Sequence, residues 1–367
     1  MKTGGFLLVI SLIMFLYSIR HFIFGMNRLF SRQKTGFEGI QDAPWPTLTV
    51  FIAAHNEEAV VGHCIESLLK TNYPHDRLCI IPGHRSTDGT RIVCDDWAAR
   101  YPHLIKPFHR RDGRAGKPAL TDAVRQAPES EVYVIFDADY LPAPGLLKQI
   151  VAPLFDPQIG VTMGRVVPQN TGRNLLTRLL DMERSAGYQG DQQARQNTGL
   201  LPQFGGTVGA IKVHALEAVG GFREDVLAED TDLTFRMLEK GWRVQYVNTA
   251  ECYEEVPETW EVRVRQLQRW AKGHNQVMVR YLFSSLYNSH LNIMQKMDAL
   301  MLLGCYAIAP LTIVGWGIVL FTLYIQPAWI LQLSITAMTL VMFGGFGNWR
   351  HFFRWLWQCG LTGMDDV

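Results

Sequence analysis

The sequence predicts an α/β domain built on a Rossmann-like, mostly parallel sheet, together with α-helical transmembrane segments. Residues 48–54, 78–82 and 132–136 are short, nearly continuous apolar runs, a pattern typical of parallel strands that are covered on both faces. Helical patterns at residues 57–70 and 90–100 separate these runs, and this alternation predicts a doubly wound sheet. Apolar segments of membrane length flank the domain on both sides.

The first of these apolar segments covers residues 4–23 and contains one arginine, Arg20. At about 1.5 Å rise per residue, a helix of this length crosses an apolar layer of about 30 Å. A cleaved signal peptide is the alternative, because Lys2 precedes the run, but no small-x-small cleavage site follows it and several basic residues do. We therefore predict a transmembrane helix.

Two further apolar runs, at residues 299–325 and 328–347, predict a helical hairpin in the membrane. Basic residues follow both the first and the last predicted helix, which places both of those regions in the cytoplasm. Three crossings satisfy both constraints, so we predict a multi-pass protein of the cell membrane, plasma or inner. Its N-terminus would lie outside and its central domain in the cytoplasm. Pro310 predicts a kink within the second crossing.

These observations give the boundaries of five regions. They are an N-terminal transmembrane helix at 1–27, a cytoplasmic α/β domain at 28–257, amphipathic interfacial helices at 258–298, two transmembrane helices at 299–347 and an interfacial cytoplasmic tail at 348–367. The formal net charge is +1 and the basic residues form no long run, so nucleic acid is not an expected partner.

Polar residues follow the first two predicted strands. Ala54 ends the first strand, Asn56 is positioned to cap the next helix, and Glu58 falls in its first turn, where the helix dipole favours an acid. His84 and Asp88 follow the second strand. Because ligands of such sheets bind beyond the carboxyl ends of the strands, these residues are candidate binding positions as well as candidate caps.

Asp137 and Asp139 follow the third predicted strand. At positions i and i+2 their side chains would project to the same side if the extended conformation persists. Paired carboxylates suit a hard divalent cation, which takes one or two protein carboxylates and completes its coordination with water and substrate phosphates. We predict a site for Mg²⁺ or Mn²⁺, although an Asp-x-Asp sequence also occurs by chance in turns.

Two later segments add further candidates. Gly206 and Thr207 lie in a glycine-rich stretch that permits close approach of the backbone to a ligand, and Glu229 and Asp230 precede a predicted helix at 231–240. The two acids could cap that helix.

The segment Gln266-Leu267-Gln268-Arg269-Trp270 lies on a predicted amphipathic helix at about 258–280. One interpretation of this basic helix is a membrane-interface element, with its cations facing anionic lipid and its tryptophans at the level of the headgroups.

Taken together, the ordered segments resemble the D, DxD, ED and QxxRW motifs of membrane-embedded family 2 glycosyltransferases, which include cellulose, chitin and hyaluronan synthases. Residues 86–90 are similar to the StDgT turn of that family, and residues 114–120 to its GGKxxALN segment. The resemblance covers roughly two thirds of the chain and implies a GT-A domain. It also implies inverting sugar transfer from a nucleotide sugar, with a UDP-sugar as the expected donor.

The resemblance also implies a role for each matching residue. Asp230 would be the general base, supported by Glu229, and Asp137 with Asp139 would hold the metal. The residues implied for the acceptor are Gly206, Thr207 and Trp270, and those implied for the donor are Ala54, Asn56, Glu58, His84, Asp88, Lys117, Asp137, Gln266 and Arg269. The chain departs from the family at Gly83 and His84, where aspartates are usual. In the family the usual acid helps to hold the base and ribose of the donor. His84 could hydrogen-bond a nucleobase or lie in an exposed loop.

Three functions are compatible with these motifs. The preferred one is a processive synthase that extends a β-linked polysaccharide, because the resemblance associates QxxRW with processive enzymes. The second is a glycolipid synthase that adds one or a few sugars to ceramide or diacylglycerol, and the third is an inactive scaffold. The expected partners are a nucleotide-sugar donor, a saccharide or lipid acceptor, the bilayer, and a second copy of the chain or an accessory subunit.

Overall fold

The computed structural model describes residues 2–32, 44–110, 122–124, 127, 129–223 and 225–325. Its strands are β1 (Leu48–Ala54), β2 (Leu78–His84), β3 (Phe108–His109), β4 (Val132–Asp137), β5 (Leu141–Pro142), β6 (Ile159–Pro168), β7 (Gly209–Lys212) and β8 (Arg243–Glu254). Its helices are α1 (Lys2–Phe30), α2 (Val61–Leu69), α3 (Thr90–Arg100), α4 (Leu146–Val151), α5 (Leu175–Ser185), α6 (Gln193–Thr198), α7 (Val213–Ala218), α8 (Glu229–Glu239), α9 (Trp260–Tyr287), α10 (Ile293–Leu303) and α11 (Ile308–Ile325). A π-helical segment, Ala186–Gln192, joins α5 to α6.

The strands form one sheet in the order β3-β2-β1-β4-β7-β6-β8-β5. β1 runs parallel to both β2 and β4, β2 is parallel to β3, and β6 is parallel to β8. The predicted α/β class with a mostly parallel sheet is therefore confirmed. The antiparallel pairing of β7 with β4 and β6 was not predicted.

Apolar side chains cover both faces of the sheet, which explains the continuous apolar runs. Along β1, Val50 and Ile52 pack into one core with α2 and α4, while Phe51 between them packs into a second core on the opposite face. Successive side chains of a strand point to opposite faces, so a strand with two covered faces needs apolar residues at every position.

The first turn after β1 differs from the prediction. Asn56 does not cap α2, which begins at Val61 after an N-cap residue, Val60, that makes no side-chain cap bond. Asn56 instead has a left-handed backbone, with φ of 60°, and its side-chain oxygen accepts a hydrogen bond from the backbone N–H of Thr87. Asparagine tolerates this conformation better than most residues, so Asn56 shapes a turn that fastens two loops together.

The N-terminal helix is longer than the predicted segment and presents apolar side chains outward, Leu8, Val9, Leu12, Phe22 and Ile23 among them. Within the described residues, α1 is the one continuous helix long and apolar enough to cross a membrane. A second candidate arises if α10 and the following helix are counted as one span, since they are bent by 49° at their junction.

That bend lies at the break between Leu303 and Cys305, ahead of Pro310, and α11 runs through Pro310. The kink at Pro310 stays a prediction. The predicted crossing at 328–347 and the predicted tail at 348–367 lie outside the described residues.

Candidate active site

The carboxyl ends of three neighbouring parallel strands meet at one edge of the sheet. Ala54 of β1 lies in register with His84 of β2, and Ala53 lies in register with Asp137 of β4. The fold thus brings together three residues that the sequence proposed for donor binding, Ala54, His84 and Asp137. In open α/β sheets this edge is where ligands bind.

Hydrogen bonds fasten the loops after β1 and β2 to each other. The Glu58 carboxylate accepts a hydrogen bond from the backbone N–H of Gly89 at 2.6 Å, and the Asp88 carboxylate accepts one from the backbone N–H of Glu58 at 3.2 Å. With the bond from Thr87 to Asn56, these contacts join the two loops at three points. Hydrogen bonds also lower the pKa of Asp88, which keeps its carboxylate ionised.

His84 is buried at the end of β2, with 3% of its surface exposed. It is therefore not the solvent-facing loop histidine that the sequence left open as an alternative. Its Nε2 lies 2.7 Å from Nδ1 of His109, and burial is the first cause that lowers its pKa. Lys117, which the sequence also proposed for donor binding, lies outside the described residues.

Asp137 is the last residue of β4, and Asp139 lies in the turn that follows. The extended conformation therefore ends before Asp139. Burial, followed by the negative charge of Asp137, raises the pKa of Asp139 to about 7, and the charges of Glu254 and Glu57 act in the same direction. Thr207 is also near, because its hydroxyl oxygen accepts a hydrogen bond from the backbone N–H of Asp137 at 3.3 Å.

This crowded pair of carboxylates fits a divalent cation. Burial first, and then the charge of Asp137, raise the pKa of Asp139, and a bound cation would offset both effects. Carboxylate oxygens are the donors that Mg²⁺ and Mn²⁺ prefer. Among the described residues there is no cluster of three or more histidine, cysteine or acidic side chains that could hold a metal. Asp137 and Asp139 alone would leave room for substrate oxygens and water.

A buried ion pair links this turn to the QxxRW helix. Glu254, at the end of β8, accepts a hydrogen bond from the hydroxyl of Tyr140 at 2.8 Å and is paired with Arg184 of α5 at 2.6 Å. The Arg184 guanidinium lies over the ring of Trp270 in α9, 5.5 Å from its centroid. Glu254 and Arg184 were not predicted from the sequence, because no local pattern marks two residues that pair across 70 positions.

The QxxRW residues are held differently from one another. A second guanidinium, that of Arg263, lies 5.1 Å from the centroid of the Trp270 ring. It donates a hydrogen bond to the side-chain oxygen of Gln266 at 2.6 Å and forms an ion pair with Glu183. Trp270 and Gln266 are therefore both engaged by side chains of the protein.

Arg269 differs from its neighbours because it is exposed. Within the described residues it makes no hydrogen bond or ion pair. Its guanidinium is available to a ligand that approaches α9, and a planar arginine suits a diphosphate particularly well.

Asp230 lies in the first turn of α8, beside Glu229. Its Oδ1 accepts hydrogen bonds from the backbone N–H of Thr231 at 2.6 Å and from the Thr231 hydroxyl at 3.2 Å. The Thr231 hydroxyl in turn accepts a bond from Gln203 at 2.7 Å and lies 3.3 Å from Nε2 of His274. Asp230 is thus held by its own helix terminus while a short polar chain connects it to α9.

Two glycines give these elements room. A Cβ on Gly273 would lie 2.8 Å from the backbone nitrogen of Ala228, so this glycine lets α9 pack closely against the segment that leads into Glu229 and Asp230. Gly206 has φ of 79°, in the left-handed region that favours glycine.

A cavity of about 460 Å³ lies between the N-terminal helix and two residues that contact Thr231, next to Asp230: Gln203 and His274. Its walls come from α1 (Tyr17 and Arg20), from the 183–195 segment, from Gln203, Gly205 and His274, and from the bend between α10 and α11. His274 was also not predicted from the sequence, although its spacing of four from Trp270 places it on the same face of the helix.

Residues 46–273, more than half of the chain, match the family model described as glycosyltransferase like family 2. The chain belongs to this family. Glucomannan 4-beta-mannosyltransferase 7 of Arabidopsis thaliana is 27% identical over 288 residues, which are 73% of this chain and 51% of the relative. Beta-monoglucosyldiacylglycerol synthase of Synechocystis sp. is 32% identical over 240 residues, 65% of this chain and 49% of the relative. The chain thus spans about half the length of these curated relatives.

A solved structure confirms the fold of this family 2 chain over nearly its whole length. Mannosyltransferase PcManGT from Pyrobaculum calidifontis, in complex with GDP-Man and Mn²⁺, matches with a TM-score of 0.67 and 20% identity, covering 96% of each chain. The domain has the GT-A-like fold that the motifs predicted.

Proposed function

We propose that this chain is an inverting glycosyltransferase that moves a sugar from a nucleotide sugar to an amphiphilic, lipid-linked acceptor. The observation that carries the proposal is the cavity between α1 and the Asp230 region. Its volume of about 460 Å³ lies within the range of about 300–1,000 Å³ that is usual for small-molecule sites. It suits a headgroup better than a long polymer.

The composition of the cavity wall supports an acceptor that has both polar and apolar parts. Met301, Leu302 and Ile308 contribute apolar surface on the side of α10 and α11, whereas Gln203 and His274 contribute polar groups near Asp230. A lipid whose headgroup carries a free hydroxyl would place that hydroxyl toward Asp230 and its tail toward the apolar helices.

The donor is proposed to bind at the strand ends. Asp137 and Asp139 would hold Mg²⁺ or Mn²⁺, which supplies positive charge that neutralises the diphosphate leaving group. Arg269 would bind the diphosphate from the side of α9. The similar fold of PcManGT, which was solved with GDP-Man and Mn²⁺, supports this placement.

Asp230 is the proposed base. Inverting transfer requires a base on the face of the sugar opposite the leaving phosphate, where it removes a proton from the acceptor hydroxyl as that oxygen attacks the sugar carbon. The bonds from Thr231 hold one carboxylate oxygen of Asp230 in place. The other oxygen would receive the proton.

The membrane arrangement belongs to the same proposal. With α1 as a transmembrane helix whose N-terminus is outside, the basic residues that follow it stay with the domain on the cytoplasmic side. The cavity then lies near the membrane surface, within reach of a lipid that diffuses in the bilayer.

A processive polysaccharide synthase is the second candidate. It is favoured by the QxxRW segment and by the similarity to glucomannan 4-beta-mannosyltransferase 7, whose name describes polymer synthesis. The similarity to beta-monoglucosyldiacylglycerol synthase favours the lipid acceptor instead. The nature of the product therefore separates the two candidates.

The test is to incubate membranes containing the protein with labelled nucleotide sugars and Mg²⁺ or Mn²⁺, then to size the product and treat it with lipase. A small, solvent-extractable, lipase-sensitive product supports the lipid acceptor, whereas a long lipase-resistant polymer supports the second candidate. Asp230→Asn should abolish transfer, and Asp96→Asn, at an exposed position of α3, should not. Equal product from wild type and Asp230→Asn would refute the role of Asp230.

A further inference from the structure

Three side chains at the donor edge of the sheet form a hydrogen-bonded chain that the proposed mechanism does not use. Nε2 of His109 lies 2.8 Å from a carboxylate oxygen of Asp95, and Nδ1 of His109 lies 2.7 Å from Nε2 of His84. Asp95 lies in α3, His109 in β3 and His84 in β2. The chain therefore runs from the protein surface inward to the end of β2.

Asp95, at the outer end of these three side chains, determines which nitrogen atoms donate and which accept. An ionised carboxylate only accepts hydrogen bonds, so Nε2 of His109 must carry a proton that it donates to Asp95. In a neutral imidazole the other nitrogen is then a bare acceptor, which is Nδ1 of His109. Nε2 of His84 must donate to it, and this leaves Nδ1 of His84 without a proton.

The neutral state follows from the surroundings. His84 is 3% exposed, and burial is the first cause that lowers its pKa, with the neighbouring His109 acting in the same direction. The Asp95 side chain is 47% exposed and also pairs with Arg91 of α3, so the charge at the outer end of these three side chains is screened.

Nδ1 of His84 is a buried atom with no hydrogen-bond partner among the described residues. A buried polar atom left unpaired costs about 1–3 kcal/mol, and such atoms call for an explanation. His84 lies at the carboxyl end of β2, in register with Ala54 of β1, where the donor is proposed to bind. A bound ligand would supply the missing partner.

We infer that Asp95 and His109 lock His84 in the Nε2–H tautomer, so that Nδ1 accepts a hydrogen bond from the nucleobase of the donor. This inference rests on the proposed function. An acceptor at this position favours a base whose pairing edge carries a ring N–H, as uracil and guanine do. Cytosine and adenine present a ring nitrogen lone pair there, which would face the lone pair of Nδ1.

The assignment also accounts for the departure from the family at this position. An ionised aspartate accepts hydrogen bonds and donates none. Nδ1 of a histidine locked in this tautomer is also an acceptor. His84 thus keeps the hydrogen-bonding character of the residue it replaces while removing a negative charge. His109 and Asp95 are positioning residues, since they act through His84.

The first measurement reads the tautomer directly. Two-dimensional NMR of the full chain with ¹⁵N-labelled histidine, above the pH range in which histidine titrates, should show His84 protonated at Nε2 only. In His109→Phe the partner of Nε2 is lost, so a mixture of tautomers is expected. A His84 protonated at Nδ1 in the wild-type chain would overturn the inference.

The second measurement is calorimetric binding of UDP, GDP, CDP and ADP to the full chain in the presence of Mn²⁺. UDP or GDP should bind wild type roughly tenfold more tightly than CDP or ADP, as expected for one hydrogen bond plus avoided lone-pair repulsion. His84→Phe should lose this preference, His84→Asp should retain it, and His63→Phe, at an exposed position of α2, serves as the matched control.

The outcomes separate the inference from the function on which it rests. If all four nucleotides bind wild type equally and His84→Phe changes nothing, the base-recognition role is wrong while the proposed function stands. If none of the four binds, both are wrong. Loss of the preference in His109→Phe with binding of the diphosphate intact supports the positioning role.

Discussion

Asp139 has the most strongly perturbed environment among the strand-end carboxyl groups. Burial and the charge of Asp137 raise its pKa to about 7, and Glu254 lies close enough to contribute. Tyr140 and Arg184 donate hydrogen bonds to Glu254 and hold its carboxylate in place. The repulsion therefore remains until a proton or a cation binds at Asp137 and Asp139. This makes proton binding and metal binding compete for one carboxylate.

This competition predicts the pH dependence of Mn²⁺ binding. A raised pKa means that Asp139 holds a proton below about pH 7, and Mn²⁺ must displace it. The affinity for Mn²⁺ should fall about tenfold for each pH unit below 7 and level off above it. Calorimetry in two buffers of different ionisation enthalpy should show proton release at about pH 6 and none at about pH 8. Asp139→Asn should bind Mn²⁺ weakly without proton release. Equal affinities at the two pH values would contradict the assignment.

At the scale of elements, α9 organises the candidate site because one helix contacts three parts of the chain. Arg263 pairs with Glu183 of α5, Gly273 packs against the backbone before α8, and His274 lies beside Thr231. All of these contacts depend on where the helix axis lies. A displacement of α9 would therefore disturb the donor side and the acceptor side together.

The elements also show what a sequence can predict. The end of β1 at Ala54 was predicted because strands buried on both faces leave continuous apolar runs that stop where the polar site begins. The other two strands continue past the predicted runs at 78–82 and 132–136, to His84 and Asp137, because their last residues are polar and carry no apolar signal. The capping role of Asn56 was wrong because a left-handed turn and a helix N-cap draw on the same residue types. Contacts such as Glu254 with Arg184 join distant segments, so they become visible only in the folded chain.

The close packing of α9 leads to a prediction for Gly273→Ala. In an exposed helix this change would add about 1 kcal/mol of stability, but here the new Cβ would lie 2.8 Å from the backbone nitrogen of Ala228. The helix must shift away from the segment that carries Asp230, so turnover should fall by at least tenfold. Gly317→Ala in α11, where a Cβ meets nothing within 4 Å, is the matched control and should leave turnover unchanged. The turnover of both variants would be measured by kinetic assay, with far-UV circular dichroism to check that they fold. Normal turnover in Gly273→Ala would show that this packing does not position the base.

At the scale of the whole molecule, one buried carboxylate, that of Asp298, contacts the N-terminal helix and two other parts of the structure. Asp298 of α10 is 3% exposed and accepts hydrogen bonds from Arg20 of α1 at 3.2 Å and from Arg195 of α6 at 3.1 Å. It also accepts one from the backbone N–H of Leu201 at 3.3 Å. Arg20 and Arg195 both line the cavity. Asp298 thus fixes the wall of the proposed acceptor site and the position of α1 at once.

Replacing Asp298 by asparagine tests this arrangement. The change removes the charge that compensates two buried guanidinium groups, which typically costs about 3–5 kcal/mol, so the melting temperature of the purified protein should fall. The KM for the acceptor should rise, because Arg20 and Arg195 would separate. The calorimetric affinity for the nucleoside diphosphate should change little, because Ala54, His84 and Asp137 at the strand ends make no hydrogen bond or ion pair with Asp298. Asp225→Asn is the matched control: its ion pair with Arg280 is exposed, and such surface pairs contribute only about 0–1 kcal/mol.

If the two variants melted at the same temperature and bound the acceptor equally well, the contacts of Asp298 would have no part in holding α1 over the cavity. If Asp298→Asn weakened nucleotide and acceptor binding to the same extent, the two halves of the site would be coupled through the fold as a whole rather than divided between the strand ends and the membrane-facing helices.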